Sequence, residues 1–170
     1  LPICDGAIVD TPDRREAVVG LLRRHAPRLV LAPFPRDEHP DHEHAGRLVK
    51  AAWYLAGIRR APPTSAKPHR APRLWFYPSH EVHDVRLVVA VTAEDVDAKR
   101  RALACYPSQF HDPTSKEPET RISTPTFLEE GFARMRHFGS LIGAEYGEPF
   151  ALPGPLGIAD PSSLLDGTDR

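Results

Sequence analysis

The chain has 170 residues, of which 41% are hydrophobic and 26% are charged, and its net charge is −1 at pH 7. This length suits one domain with a substantial core. The near-zero net charge gives no electrostatic case for binding nucleic acid or a membrane surface, and no apolar run is long enough to span a bilayer. Two cysteines, Cys4 and Cys105, do not make a disulfide framework. We therefore expect a globular protein of the cytoplasm.

The first part of the chain alternates predicted helices with predicted strands. Thr11 or Asp10 can cap a helix and Pro12 suits its first position, so a helix begins there and ends before Pro27. The apolar run over 29–32 predicts a buried strand. The segment 43–57 predicts a second helix, because its apolar residues recur every three or four positions.

The remaining pattern continues this alternation. We expect strands over 74–77 and 85–91, helices over 93–106 and 124–142, and a polar loop over 111–123. The last of these helices has an apolar stripe that includes Leu141 and Ile142. The chain is rich in proline and glycine after Phe150, so we divide it into a domain over 1–150 and an extended tail over 151–170. The alternation predicts an α/β fold, a three-layer sandwich with a partly parallel sheet.

The most informative motif lies between the strand predicted over 29–32 and the helix that follows. His39, Asp41 and His42 place two imidazoles and a carboxylate within four residues. In open α/β sheets, ligands bind beyond the carboxyl ends of the strands. One histidine could hold a metal while the other, protonated, stabilises an oxyanion, and a carboxylate could orient an imidazole. A solvated polar turn explains the same residues about equally well.

Residues 37–42 read Asp-Glu-His-Pro-Asp-His, and residues 45–49 read Ala-Gly-Arg-Leu-Val. Together they resemble the second signature of the PIG-L/LmbE-like zinc deacetylases. The runs 99–110, 138–143 and 146–150 resemble the bacillithiol-biosynthesis branch, in family order. The resemblance implies a Rossmann-like fold and removal of the N-acetyl group from a GlcNAc conjugate, which in that branch is N-acetylglucosaminyl-malate. Deacetylation of a mycothiol-type conjugate, a chito-oligosaccharide or an antibiotic sugar is the alternative.

The resemblance also assigns roles to the motif. It implies one divalent metal, zinc or alternatively ferrous iron, with His42 as a ligand and water attacking the amide carbonyl. His39 would be the electrostatic catalyst, paired with Asp41 and protonated during turnover. The implied partner is a small acetylated sugar, and the implied assembly is a homo-oligomer. Glu38, directly before His39, weakens the case for an acidic malate group.

One family signature, A-H-P-D-D-x-E, does not occur in this sequence. We therefore expect the family's N-terminal strand and the metal motif that follows it to be absent from this chain as well. In the family this signature supplies a second histidine ligand, an aspartate ligand and the general base. We therefore expect either an incomplete record of an active enzyme or a truncated, non-catalytic paralogue that binds metal weakly. The segment 80–84 adds His80 and His83, for which we expect a polar loop, with His80 reaching at most the rim of the pocket.

Overall fold

A computed structural model of the chain describes residues 3–63, 65–116, 118–157, 160 and 162. The chain forms two compact units, the first built from residues up to Asp84 together with those from Ala151, the second from Val85–Phe150. No described helix is both long and apolar enough to cross a membrane. The division between a domain over 1–150 and a tail over 151–170 stays a prediction, and most of residues 158–170 lie outside the described part.

The described residues of the first unit form α1 (Pro12–His25), β1 (Leu29–Pro33), α2 (Pro40–Ala56) and β2 (Arg73–Tyr77). Strands β1 and β2 pair in parallel, with Leu31 opposite Trp75. Helix α1 begins as its sequence predicts, because the Thr11 side chain accepts a hydrogen bond from the Arg14 amide. Two groups of buried side chains form the core: Val19, Leu22, Ala52 and Ala56 between the helices, and Ala32, Leu74, Phe76 and Ala151 on the sheet.

Specific contacts hold α2 in place in its first half and at its C-terminal end. At its first half, a Cβ on Gly46 would lie 2.5 Å from the carbonyl oxygen of Pro33, so the absence of a side chain lets the helix approach the end of β1. At its other end, the buried Arg23 donates hydrogen bonds to the carbonyl oxygens of Leu55, Ala56, Ile58, Ala61 and Pro63. The positive charge of Arg23 therefore lies at the negative end of the helix dipole.

The second unit contains β3 (Val85–Val91), α3 (Ala93–Ala104), α4 (Phe127–Ser140) and all but the last residue of β4 (Tyr146–Ala151), with short 3-10 turns at Pro107–Gln109 and Arg121–Ser123. Thr92 and Asp95 form a reciprocal capping box at the start of α3. Val96, Phe132, Met135 and Tyr146 form a core cluster in this unit.

The strand order is β1-β2-β4-β3, with β2 parallel to β1 and antiparallel to β4, where Phe76 pairs with Ala151. This arrangement confirms the predicted α/β fold with a partly parallel sheet. The prediction for the last helix is wrong at both ends, because α4 begins only at Phe127 and ends at Ser140. Leu141 and Ile142 are therefore 63% and 46% exposed instead of lying on its buried face. Strand β4 is not predicted by the sequence pattern.

Candidate active site

Three histidine rings lie together in the first unit. The ring centroids of His39 and His42, at the start of α2, are 4.6 Å apart. His80, in the loop after β2, lies 5.0 Å from His42 and 6.1 Å from His39. Because β1 and β2 are parallel, the loops that follow them meet at the same edge of the sheet. His80 is thus a full member of the cluster, although its sequence context predicts only a polar loop.

The Asp37 carboxylate connects the two loops that carry these rings. Its Oδ1 accepts a hydrogen bond from the His39 amide at 2.9 Å and lies 3.3 Å from Nδ1 of His42. Its Oδ2 accepts one from the His80 amide at 3.1 Å. The Asp37 side chain is only 1% exposed. The placement of all three histidines therefore depends on one buried carboxylate, which the sequence motif does not single out.

The surroundings of Asp37 favour its charged form. Burial alone disfavours ionisation of the carboxyl group. The amide hydrogen bonds from His39 and His80, and the neighbouring rings of His42 and His80, outweigh burial and hold the pKa of Asp37 below its ordinary value. An ionised carboxylate therefore faces the rings at neutral pH.

Asp37, His42 and His80 together form a donor set that suits a divalent metal. Each offers one ligand atom, and these atoms all lie within 4.8 Å of one another. Two imidazoles and a carboxylate suit zinc or ferrous iron. In a second arrangement, Asp37 accepts the proton on Nδ1 of His42, which leaves Nε2 of His42 to bind the metal. His42 could supply a donor nitrogen in both arrangements, and its role as a metal ligand stays a prediction.

The environment of Asp41 differs from the expected pairing with the His39 ring. The Asp41 carboxylate is buried, and it accepts hydrogen bonds from the amides of Gly6 at 2.7 Å and Ile8 at 3.1 Å. The hydrogen bond between the two motif residues runs instead from the Asp41 amide to Nδ1 of His39, at 3.2 Å. His39 thereby caps α2, with Pro40 at the first helical position. Since an accepting ring nitrogen carries no proton, neutral His39 has its proton on Nε2.

Acidic and aromatic side chains surround the cluster. Oε1 of Glu38 lies 3.7 Å from Nδ1 of His80. In the same loop as His80, His83 is hydrogen-bonded to Glu81, and its ring lies 5.5 Å from that of Phe34. These contacts place a carboxylate beside His80 and another beside His83.

No family model matches the chain. In sequence, the chain is similar to a diacetylchitobiose deacetylase of Thermococcus kodakarensis, with 32% identity over 108 residues, and the match covers 59% of this chain. The same match covers only 39% of the relative's length. The aligned region is therefore a minor part of that enzyme.

Solved structures share the fold. A conserved protein from Thermus thermophilus superposes with a TM-score of 0.79 and 35% identity, over 92% of this chain and 66% of that protein. The N,N'-diacetylchitobiose deacetylase of Pyrococcus horikoshii, complexed with its inhibitor MPG, superposes with a TM-score of 0.65 and 23% identity. The match covers 91% of this chain and 57% of that protein. The 4-carboxy-2-hydroxymuconate hydratase of Pseudomonas putida superposes with a TM-score of 0.71 and 18% identity, over 93% of this chain and 65% of that protein. The fold carries more than one reaction, so the site must decide the chemistry.

These similarities support the deacetylase superfamily that the second signature resembles. The sequence match is to an enzyme named for an acetylated sugar, whereas the bacillithiol branch is not singled out by any of these proteins.

Proposed function

We propose that this chain carries part of the active site of a metal-dependent N-deacetylase that acts on an N-acetylated amino sugar. The observation that carries the proposal is the cluster of Asp37, His42 and His80 beside His39. The sequence similarity to a diacetylchitobiose deacetylase supports the reaction class.

The donor set fits the metal that the resemblance implies. His42, with Asp37 and His80, would hold zinc, or ferrous iron as the alternative. A bound divalent metal supplies a Lewis acid and lowers the pKa of a water molecule. The Asp37 carboxylate keeps the three rings in place through its contacts with both loops.

His39 would stabilise the oxyanion that forms on the acetyl carbonyl oxygen. Because its Nδ1 accepts the Asp41 amide, its Nε2–H is available as a donor in the neutral ring. A positioned donor of this kind stabilises developing negative charge. This role requires no imidazolium, in contrast to the protonated His39 that the resemblance implies. Asp41 would then position the segment that contains Gly6 and Ile8.

The test is acetate release by the full protein, supplied with zinc or ferrous iron, from N,N'-diacetylchitobiose. We expect His42→Ala to lower turnover at least about 100-fold, because removal of a metal ligand removes the metal's chemistry. His137→Ala, at an exposed histidine of the second unit, is the matched control and should retain activity. Unchanged acetate release in His42→Ala would contradict the proposal.

N-acetylglucosaminyl-malate is the second candidate substrate. It is favoured by the ordered runs over 99–110, 138–143 and 146–150, which resemble the bacillithiol-biosynthesis branch. A panel that compares acetate release from this conjugate, diacetylchitobiose and other acetylated amino sugars would rank the substrates.

A further inference from the structure

Carboxylates dominate the two segments that meet at the histidine cluster. Residues 34–44 and 78–84 contain one arginine, Arg36, and six acidic residues: Asp37, Glu38, Asp41, Glu43, Glu81 and Asp84. Arg36 lies over the Phe34 ring. A second arginine, Arg47, lies just outside these segments, one helical turn after Glu43, with which it forms an ion pair. Even with both arginines and one divalent cation, the formal charge of this region stays negative. A ligand that enters the cluster therefore meets a negative potential.

Glu38 is the carboxylate best placed to act on a ligand. Asp37 and Asp41 are buried and accept main-chain hydrogen bonds, and Glu81 is bonded to His83. Oε1 of Glu38 lies 3.7 Å from Nδ1 of His80, and 49% of the Glu38 side chain is exposed. Its charge is thus adjacent to the candidate metal donors and also accessible from solvent.

We infer that Glu38 makes the site select an uncharged N-acetylated amino sugar over an anionic conjugate of the same sugar. The inference rests on the proposed function and names its substrate class. A carboxylate next to the site repels a phosphate or carboxylate on the ligand and leaves a neutral sugar unaffected, so it discriminates through an unfavourable contact.

The experiment compares the binding of N-acetylglucosamine and N-acetylglucosamine 6-phosphate to the full, zinc-loaded protein. The two probes share one ring and differ in charge. We expect the wild type to prefer the neutral sugar and Glu38→Arg to shift the affinity ratio about tenfold toward the phosphate. Glu38→Gln should shift the affinity ratio less, in the same direction. The shifts in both variants should become smaller at high salt. Glu16→Arg, at an exposed position of α1, is the charge-matched control and should leave the ratio unchanged.

The outcomes separate this inference from the proposed function. A ratio in both Glu38 variants that stays within about twofold of the wild type, or a wild type that prefers the phosphate, overturns the inference. Selective sugar binding that responds to Glu38, without acetate release from any substrate, supports the inference and overturns deacetylation. Binding of neither sugar overturns the inference, whereas acetate release from diacetylchitobiose decides the proposed function.

Discussion

Removal of the Asp37 carboxylate should destabilise the first unit and weaken the candidate metal site together. In Asp37→Ala, the amides of His39 and His80 lose their acceptor in a buried place. A buried donor left without a partner costs about 1–3 kcal/mol. We therefore expect the free energy of unfolding to fall by about 3 kcal/mol, since water can satisfy part of the loss. Asp37→Asn keeps the shape and one acceptor oxygen, so it should lose about half as much.

The acid dependence of this effect follows from the lowered pKa of Asp37. A carboxyl group whose pKa is lower in the folded state stabilises the protein fully above its unfolded value, about 3.9. That contribution disappears as the pH falls through the lower folded pKa. The difference in stability between wild type and Asp37→Asn should therefore be constant near neutral pH and shrink below about pH 4.

The assay is urea unfolding of the metal-free protein, followed by circular dichroism at several pH values, with zinc titration of the same variants. Zinc affinity should fall at least about tenfold in Asp37→Asn, whether Asp37 binds the metal or orients His42. An Asp37→Ala variant within about 0.5 kcal/mol of the wild type would refute the role of the carboxylate as the link between the two loops.

Three further predictions concern other contacts. Asp41→Ala should speed amide hydrogen exchange at Gly6 and Ile8, because both amides lose their acceptor, and unchanged exchange would contradict this role. Arg23→Met should lower the free energy of unfolding by about 3 kcal/mol in urea titration, since carbonyl oxygens at the end of α2 and in the segment after it lose a charged donor; a loss below about 1 kcal/mol would contradict this. Gly46→Ala should destabilise by more than about 1 kcal/mol, because its methyl group would collide with Pro33, and a neutral change would show that α2 can move away.

Local signals in the sequence predict much of the fold. Helix caps and strands depend on neighbouring residues, so they can be predicted from short segments. Thr11 and Pro12 indicate the start of α1, and the apolar run of β1 lies between two proline-containing segments. Strand β4 is hidden because Glu148 and Pro149 interrupt its apolar residues, although Tyr146 and Phe150 are buried. The end of α4 is misplaced since apolar residues continue past Ser140 into an exposed turn.

The candidate site is only half visible in the sequence. His39 and His42 are close together in a motif at a strand end, so their proximity can be predicted. Asp37 and His80 are 43 residues apart, and their hydrogen bond depends on the parallel pairing of β1 and β2. The Asp41 carboxylate likewise reaches Gly6, 35 residues away, which no short motif encodes. Such contacts follow from tertiary packing and not from local pattern.

Zinc binding to this chain tests the central claim most directly. Equilibrium dialysis followed by elemental analysis should find about one tightly bound zinc per chain, with binding lost in His42→Ala and His80→Ala and retained in His137→Ala. Absence of zinc from the wild type, or equal zinc content in wild type and His42→Ala, would contradict the assignment of this cluster as a metal site.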